Sequence, residues 1–162
     1  MGDAASEPQG GQILVNAAAG CAMVPIEAMD HEAHGKRTLT FELDLVFLVG
    51  QAAWSRPKVG GGSIVNPASA NADQALEGSA TLAHCAGKGG VLAMTRPLAL
   101  EGAPHGIRAN PVSPGLVKTG ATRDFVSMPG MRAALVGQHM LKRLSQPEDI
   151  ARCVTCLAAD ES

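Results

Sequence analysis

Apolar and polar positions fall along this chain in blocks that predict three short strands separated by long helices. Ile13-Leu14-Val15 is a β-branched run that stops at Asn16, the pattern of a parallel strand buried on both faces. Before it, residues 1–11 are small, polar and without period, which predicts an unstructured leader. From Cys21 to Leu39 the pattern is irregular and predicts a loop. Thr40 to Trp54 is apolar except at Glu42, Asp44 and Gln51, which predicts a largely buried helix. A glycine-rich turn over 58–62 then feeds a strand at Ser63-Ile64-Val65-Asn66. After a polar loop, Ala83 to Leu100 predicts a second long helix, interrupted at Pro97. Ile107 to Val112 predicts the third strand, closing at Ser113-Pro114-Gly115.

Residues 116–141 form a long connection carrying Met128, Met131 and Met140, of a length usual in lids or disordered segments and expected to be partly helical. Ser145 is the expected cap of a last helix, with Pro147 in its first turn, Glu148 in the capping-box place and an end near Ala159. Strand and helix alternating in this way imply an α/β domain over residues 12–162, a parallel sheet with crossover helices. No internal repeat is present.

Composition narrows the function classes. The 162 residues suffice for one domain, and 46% apolar against 17% charged residues favours a folded chain over disorder. A net charge of −2 with no basic cluster argues against nucleic acid and anionic membrane as partners. With 2% aromatic residues, neither a base-stacking platform nor a membrane belt is expected. Cys21, Cys85, Cys153 and Cys156 follow no secretory signal pattern, so free thiols in the cytoplasm are expected. Cys153-Val154-Thr155-Cys156 has the spacing of zinc or redox motifs but no second pair to complete a site, and two buried structural thiols are expected. His31-Glu32-Ala33-His34 lacks one spacer of the zinc-protease pattern and reads as solvated loop. No metal site is expected from either.

Several motifs, in a fixed order, resemble those of short-chain dehydrogenases/reductases. Leu14-Val15-Asn16-Ala17-Ala18-Ala19-Gly20 resembles the end of that family's fourth strand, and Phe47 to Ala53 the helix after it. Gly61 to Ser69 resembles the fifth strand with its serine. His84-Cys85-Ala86-Gly87-Lys88-Gly89-Gly90-Val91 resembles the family's Tyr-x-Ala-Ser-Lys-Gly-Gly-Val, with histidine in the tyrosine place. Ala103 to Asn110, Ser113 to Thr119 and Arg143 to Asp149 complete the series. The chain contains no tyrosine that could substitute. The glycine-rich turn that opens such a protein has no counterpart before Asn16, and its last strand would follow Ser162. The resemblance therefore implies a partial Rossmann-type three-layer fold, lacking the first βαβαβ half and the last strand.

By resemblance, the chain would be an NAD- or NADP-dependent oxidoreductase acting on a small alcohol or ketone. Ser69 would orient the substrate oxygen, His84 would stand for the acid/base and Lys88 would hold the nicotinamide ribose. Asn16, Ala17, Ala18 and Gly20, with Pro114, Gly115, Val117 and Thr119, would line the cofactor. Lys88 follows His84 by four residues, which keeps both on one helix face. An imidazole titrates near 6.5 and a phenol near 10. His84 is thus either a substitute acid or the mark of a lost catalytic group, and the Lys88 ammonium is expected to lower its pKa. The place of the family's water-holding asparagine falls on Glu42, which either holds a water or is a solvated helix residue. Gly87 for serine is expected to weaken the catalytic helix, as are Pro67, Pro97 and Pro111 their elements. Impaired activity follows from these departures. The alternative is an inactive member acting through protein contacts. The resemblance further implies a homo-oligomer.

Overall fold

The structure is a computed structural model and describes residues 12–54, 60–76 and 79–162. The expected leader lies outside the described residues, as do the first two positions of the expected turn over 58–62. Three strands form one parallel sheet in the order β1-β2-β3: β1 is Gln12–Val15, β2 is Gly62–Pro67 and β3 is Ile107–Val112. In register, Leu14 lies beside Ile64, and Ile64 beside Ala109. A helical segment over residues 31–54 (α1) crosses from β1 to β2, and α2, Leu82–Gly102, crosses from β2 to β3. Then come α3 (Arg123–Ser127), α4 (Met131–Gln138) and α5 (Pro147–Ala158).

β2 is the centre, with Ser63, Ile64, Val65 and Asn66 all buried. Alternate strand residues point to opposite faces. Asn66 donates to Thr95 Oγ1 of α2 at 3.0 Å, whereas Ser63 donates to the Leu157 carbonyl of α5 at 2.8 Å. These two helices therefore cover opposite faces, and the architecture is three-layered α/β. Arg108 on β3 secures α5 further by donating to the carbonyls of Leu157 and Ala159. On the other face Val46, Ala68 and Val91 form the buried cluster, flanked by Leu43, Leu92 and Met94.

The two strand prolines sit where they remove little. In the β2–β3 ladder, Gly62 and Ala68 donate to the carbonyls of Gly106 and Val112, so even-numbered β3 residues face β2. Pro111 thus presents its missing N–H to the outer edge. On the other side Asn16 donates to Val65, and the ladder ends one step before Pro67 could be required as a donor. Pro97 does not interrupt α2. It lies on the exposed side, where the Ala93 carbonyl it leaves without a donor can take water.

Five expectations are corrected. β1 is not buried on both faces, since Ile13 is 61% and Val15 39% exposed at the edge of the described sheet. α1 begins at His31, within the expected loop, because the Asp30 carboxylate accepts from Ala33 N at 2.6 Å and caps it. The His31 pair is accordingly helical. α1 is also not largely buried: Phe41, Phe47, Leu48 and Val49 are exposed, while Thr38, Glu42, Val46 and Gly50 form one buried stripe at a spacing of four. Two turns of it, His31–Lys36 and Thr40–Asp44, are wide π-type turns. The last helix is capped one residue late, where Gln146 N donates to Asp149 at 3.0 Å. Ser145 is committed elsewhere, bonding Leu116 and Lys118 in a parallel bridge. Cys153 and Cys156 are exposed, since α5 turns Ile150, Val154 and Leu157 inward. Among the described residues no helix is long and apolar enough to cross a membrane.

Candidate active site

The site lies where β2 leaves the sheet. Ser69 has extended backbone just beyond the strand, and its Oγ accepts from Asn71 N at 3.2 Å. Ala70 N donates to the Pro114 carbonyl at 2.9 Å, which ties the exits of β2 and β3 together. His84 is in the first turn of α2, and Lys88 one turn on. His84 Nε2 stands 3.3 Å from Ser69 Oγ. Lys88 is 6% exposed and donates from Nζ to the Pro67 carbonyl at 3.0 Å. The three residues singled out from the sequence therefore meet around the last turn of β2.

The structure adds two more, Glu42, which the sequence left between two readings, and Cys21, which sequence reasoning missed. Glu42, one of the two alternatives for which was a solvated position, is 2% exposed. Its Oε1 accepts from His84 Nδ1 at 2.7 Å, while Oε2 is a buried oxygen without a hydrogen-bond partner among the described residues. Cys21 is the second. Its Sγ, a Glu42 carboxylate oxygen and a His84 ring nitrogen lie within 4.8 Å of one another. The loop that carries it is fixed to α1 by Ala22 N, which donates to Thr38 Oγ1 at 3.0 Å, one helical turn before Glu42.

Gly87 accounts for the space Glu42 occupies. A Cβ there would stand 2.9 Å from Glu42 Oε2 and 3.1 Å from Glu42 Cβ. A serine there would press on Glu42 and make it shift, so the glycine eases this packing while costing helix propensity. The three departures from the family pattern, at Glu42, His84 and Gly87, are thus one contiguous substitution. That they occur together was the available sequence signal.

His84 titrates opposite to the expectation. Its pKa is pushed up to about 9, because the Cys21 sulfur and the Glu42 carboxylate stabilise the charged ring against the opposing effect of burial. The Lys88 ammonium is engaged with the Pro67 carbonyl and does not govern the ring. Burial holds Lys88 itself below its usual value, with Glu42 and Cys21 opposing.

The candidate cofactor positions lie beyond the carboxyl ends of the strands, where parallel sheets bind ligands. Ala17, Ala18 and Gly20 are exposed after β1. Asn16 directs Nδ2 to Asn66 Oδ1 at 2.8 Å, so its amide braces two strand ends. Gly115 is exposed, Val117 is held in the bridge to Ser145, and Thr119 N donates to Thr122 Oγ1 at 2.9 Å. These positions and Lys88 thus share the carboxyl-end side of the sheet. Among the described residues, no glycine-rich strand-to-helix turn matches the pyrophosphate half of a dinucleotide.

Comparison with known proteins agrees with this fold. Residues 2–162 match a family model described as enoyl-(acyl carrier protein) reductase. The acetoacetyl-CoA reductase of Allochromatium vinosum is 32% identical over 151 residues, covering 93% of this chain and 59% of that protein. The cyclopentanol dehydrogenase of Comamonas testosteroni is 33% identical over 153 residues, covering 92% and 59%. A gluconate 5-dehydrogenase from Burkholderia cenocepacia, solved with NADP and tartrate, superposes with a TM-score of 0.84 at 27% identity, covering 91% of this chain and 57% of its own. The chain thus spans about 59% of the length of these curated relatives.

Proposed function

The chain belongs to the short-chain dehydrogenase/reductase family, and from that premise we infer that it is a slow NAD(P)-dependent oxidoreductase of a small alcohol/ketone pair. The observation that carries the reading is the 3.3 Å contact of His84 Nε2 with Ser69 Oγ, one turn from Lys88. With its pKa near 9, the ring is protonated at neutral pH, the form that ketone reduction needs in its proton donor. Ser69 donates its hydroxyl to the carbonyl oxygen and holds it. His84 delivers the proton from Nε2 as that oxygen becomes an alkoxide, and Glu42 orients the ring through Nδ1–H and balances its charge. A bound NADH or NADPH supplies the hydride. Lys88, with Asn16, Ala17, Ala18, Gly20, Pro114, Gly115, Val117 and Thr119, would hold its nicotinamide-ribose half.

The same reading includes a cytoplasmic homo-oligomer. Its support is the exposed apolar face of α1, with Phe47, Leu48 and Val49, and the edge of β1, where Ile13 is 61% exposed. The test is calorimetric titration of NADH and NADPH into the full chain, followed by ketone-dependent oxidation of each. Weak binding, high micromolar or beyond, is expected with slow turnover that falls as pH rises through about 9. His84→Leu should lower that turnover by roughly 100-fold or more, as befits loss of a general acid. A folded chain that binds neither cofactor overturns the reading and leaves the interaction role.

A further inference from the structure

We propose that Cys21, Glu42 and His84 form a three-ligand zinc site. Their ligand atoms lie within 4.8 Å of one another, close enough for one ion to bridge all three. Thiolate, imidazole and carboxylate together form a borderline-soft set, which suits Zn²⁺ and disfavours Mg²⁺ or Ca²⁺. Charge balances too, since two anionic ligands neutralise the ion. Glu42 supplies the second, independent indication. It is 2% exposed, yet its Oε2 has no hydrogen-bond partner among the described residues. A buried carboxylate oxygen left unsatisfied is costly, and a cation at this cluster would compensate it.

The scaffold around the cluster is built to hold it. Thr38 pins the Cys21 loop through Ala22 N, and it sits one turn from Glu42 on the same buried stripe. Gly87 makes room for the carboxylate. His84 turns Nδ1 to Glu42 and Nε2 to Ser69 Oγ, so that Ser69 can accept the second N–H of a metal-bound imidazole and fix its tautomer. On binding, Zn²⁺ replaces the Cys21 thiol proton and the proton held between His84 and Glu42, both released to solvent. Three protein ligands leave a fourth position for water. Zn²⁺ takes the place of the Nδ1 proton that the oxidoreductase reading gives to His84, so the metal-bound ring is not the acid of that reading, and the ion binds with or without a cofactor.

The test uses the reduced, metal-stripped full chain and two probes, Zn²⁺ and Co²⁺. One equivalent of Zn²⁺ should bind in competition with a chromophoric chelator. Co²⁺ should give the intense visible bands of a four-coordinate site together with a near-ultraviolet thiolate charge-transfer band. Cys21→Ser, at an exposed position where the change should leave folding intact, should abolish the charge-transfer band and weaken Zn²⁺ at least about 100-fold, beyond the effect of losing an outer-shell partner. Glu42→Gln should weaken it as well. The double variant Cys153→Ser, Cys156→Ser should leave both readouts unchanged. Absence of stoichiometric binding, a six-coordinate cobalt spectrum without the thiolate band, or a band that survives Cys21→Ser and vanishes in the double variant would each overturn the proposal. Failure of turnover would not, since every readout here is binding or spectroscopy.

Discussion

Two regions of this molecule carry thiols that invite chemistry, and they differ in an instructive way. The last helix holds Cys153 and Cys156 at a spacing long associated with metal and redox sites. Both face solvent, and the helix turns Ile150, Val154 and Leu157, each half-buried, to its other side. At the exit of β2, Cys21 belongs to no motif, yet it meets Glu42 from α1 and His84 from α2. The first region has the pattern without the convergence, the second the convergence without the pattern. Spacing along one helix places two side chains; it supplies no third group from elsewhere in the fold. Chemistry of this kind requires several chain segments to deliver groups to one poorly hydrated place, as Glu42 and His84 are delivered here.

That contrast predicts that the two regions respond very differently to substitution. The largest effect is expected from His84→Leu, which strands the buried Glu42 carboxylate. Breaking a buried pair from one side costs roughly 3–5 kcal/mol, and denaturant unfolding of metal-free protein at neutral pH should show a loss of that order. Next comes pH. Folding raises the His84 pKa from 6.5 to about 9, so the folded state favours the protonated ring. Its contribution is complete below pH 6.5 and is lost as pH climbs through about 9, an amount on the order of 3 kcal/mol. Unfolding measured across that window, with a chelator present, should slope downward in the native chain and flatten in His84→Leu; parallel profiles would separate the titration from this residue.

A smaller effect tests the packing link. Gly87→Val places atoms against Glu42 and should cost about 1–3 kcal/mol by overpacking. In a Glu42→Ala background the same change should cost markedly less, and a coupling near zero in that double-mutant cycle would dissolve the idea that the two positions form one unit. The smallest effect belongs to the other region. Replacing both Cys153 and Cys156 by serine should change stability by no more than about 0.5 kcal/mol, as expected of exposed positions. A large loss there would mean the exposed pair has a structural partner after all.

Hydrophobic pattern alone determined the alternation of elements, the parallel sheet and the three strands, because short β-branched runs bounded by turn residues have few other folds available. The one-turn spacing of His84 and Lys88 likewise determined that they share a face, whatever lies opposite. Their meeting with Ser69 was legible only through the ordered motifs. The tertiary structure decided the rest. Nearly every position from Thr40 to Trp54 is apolar, so no amphipathic contrast marks which stripe of α1 turns inward, and Glu42 reads as a surface residue until α2 is docked against it. Once docked, Gly87 admits the carboxylate, His84 pairs with it, and the exposed Cys21 comes within 4.8 Å of both. A buried charge depends on groups distant in sequence and near in space, and no local pattern encodes that distance. For that reason the burial and pairing of Glu42 and the part played by Cys21 emerged only from the fold, as did the direction in which His84 titrates.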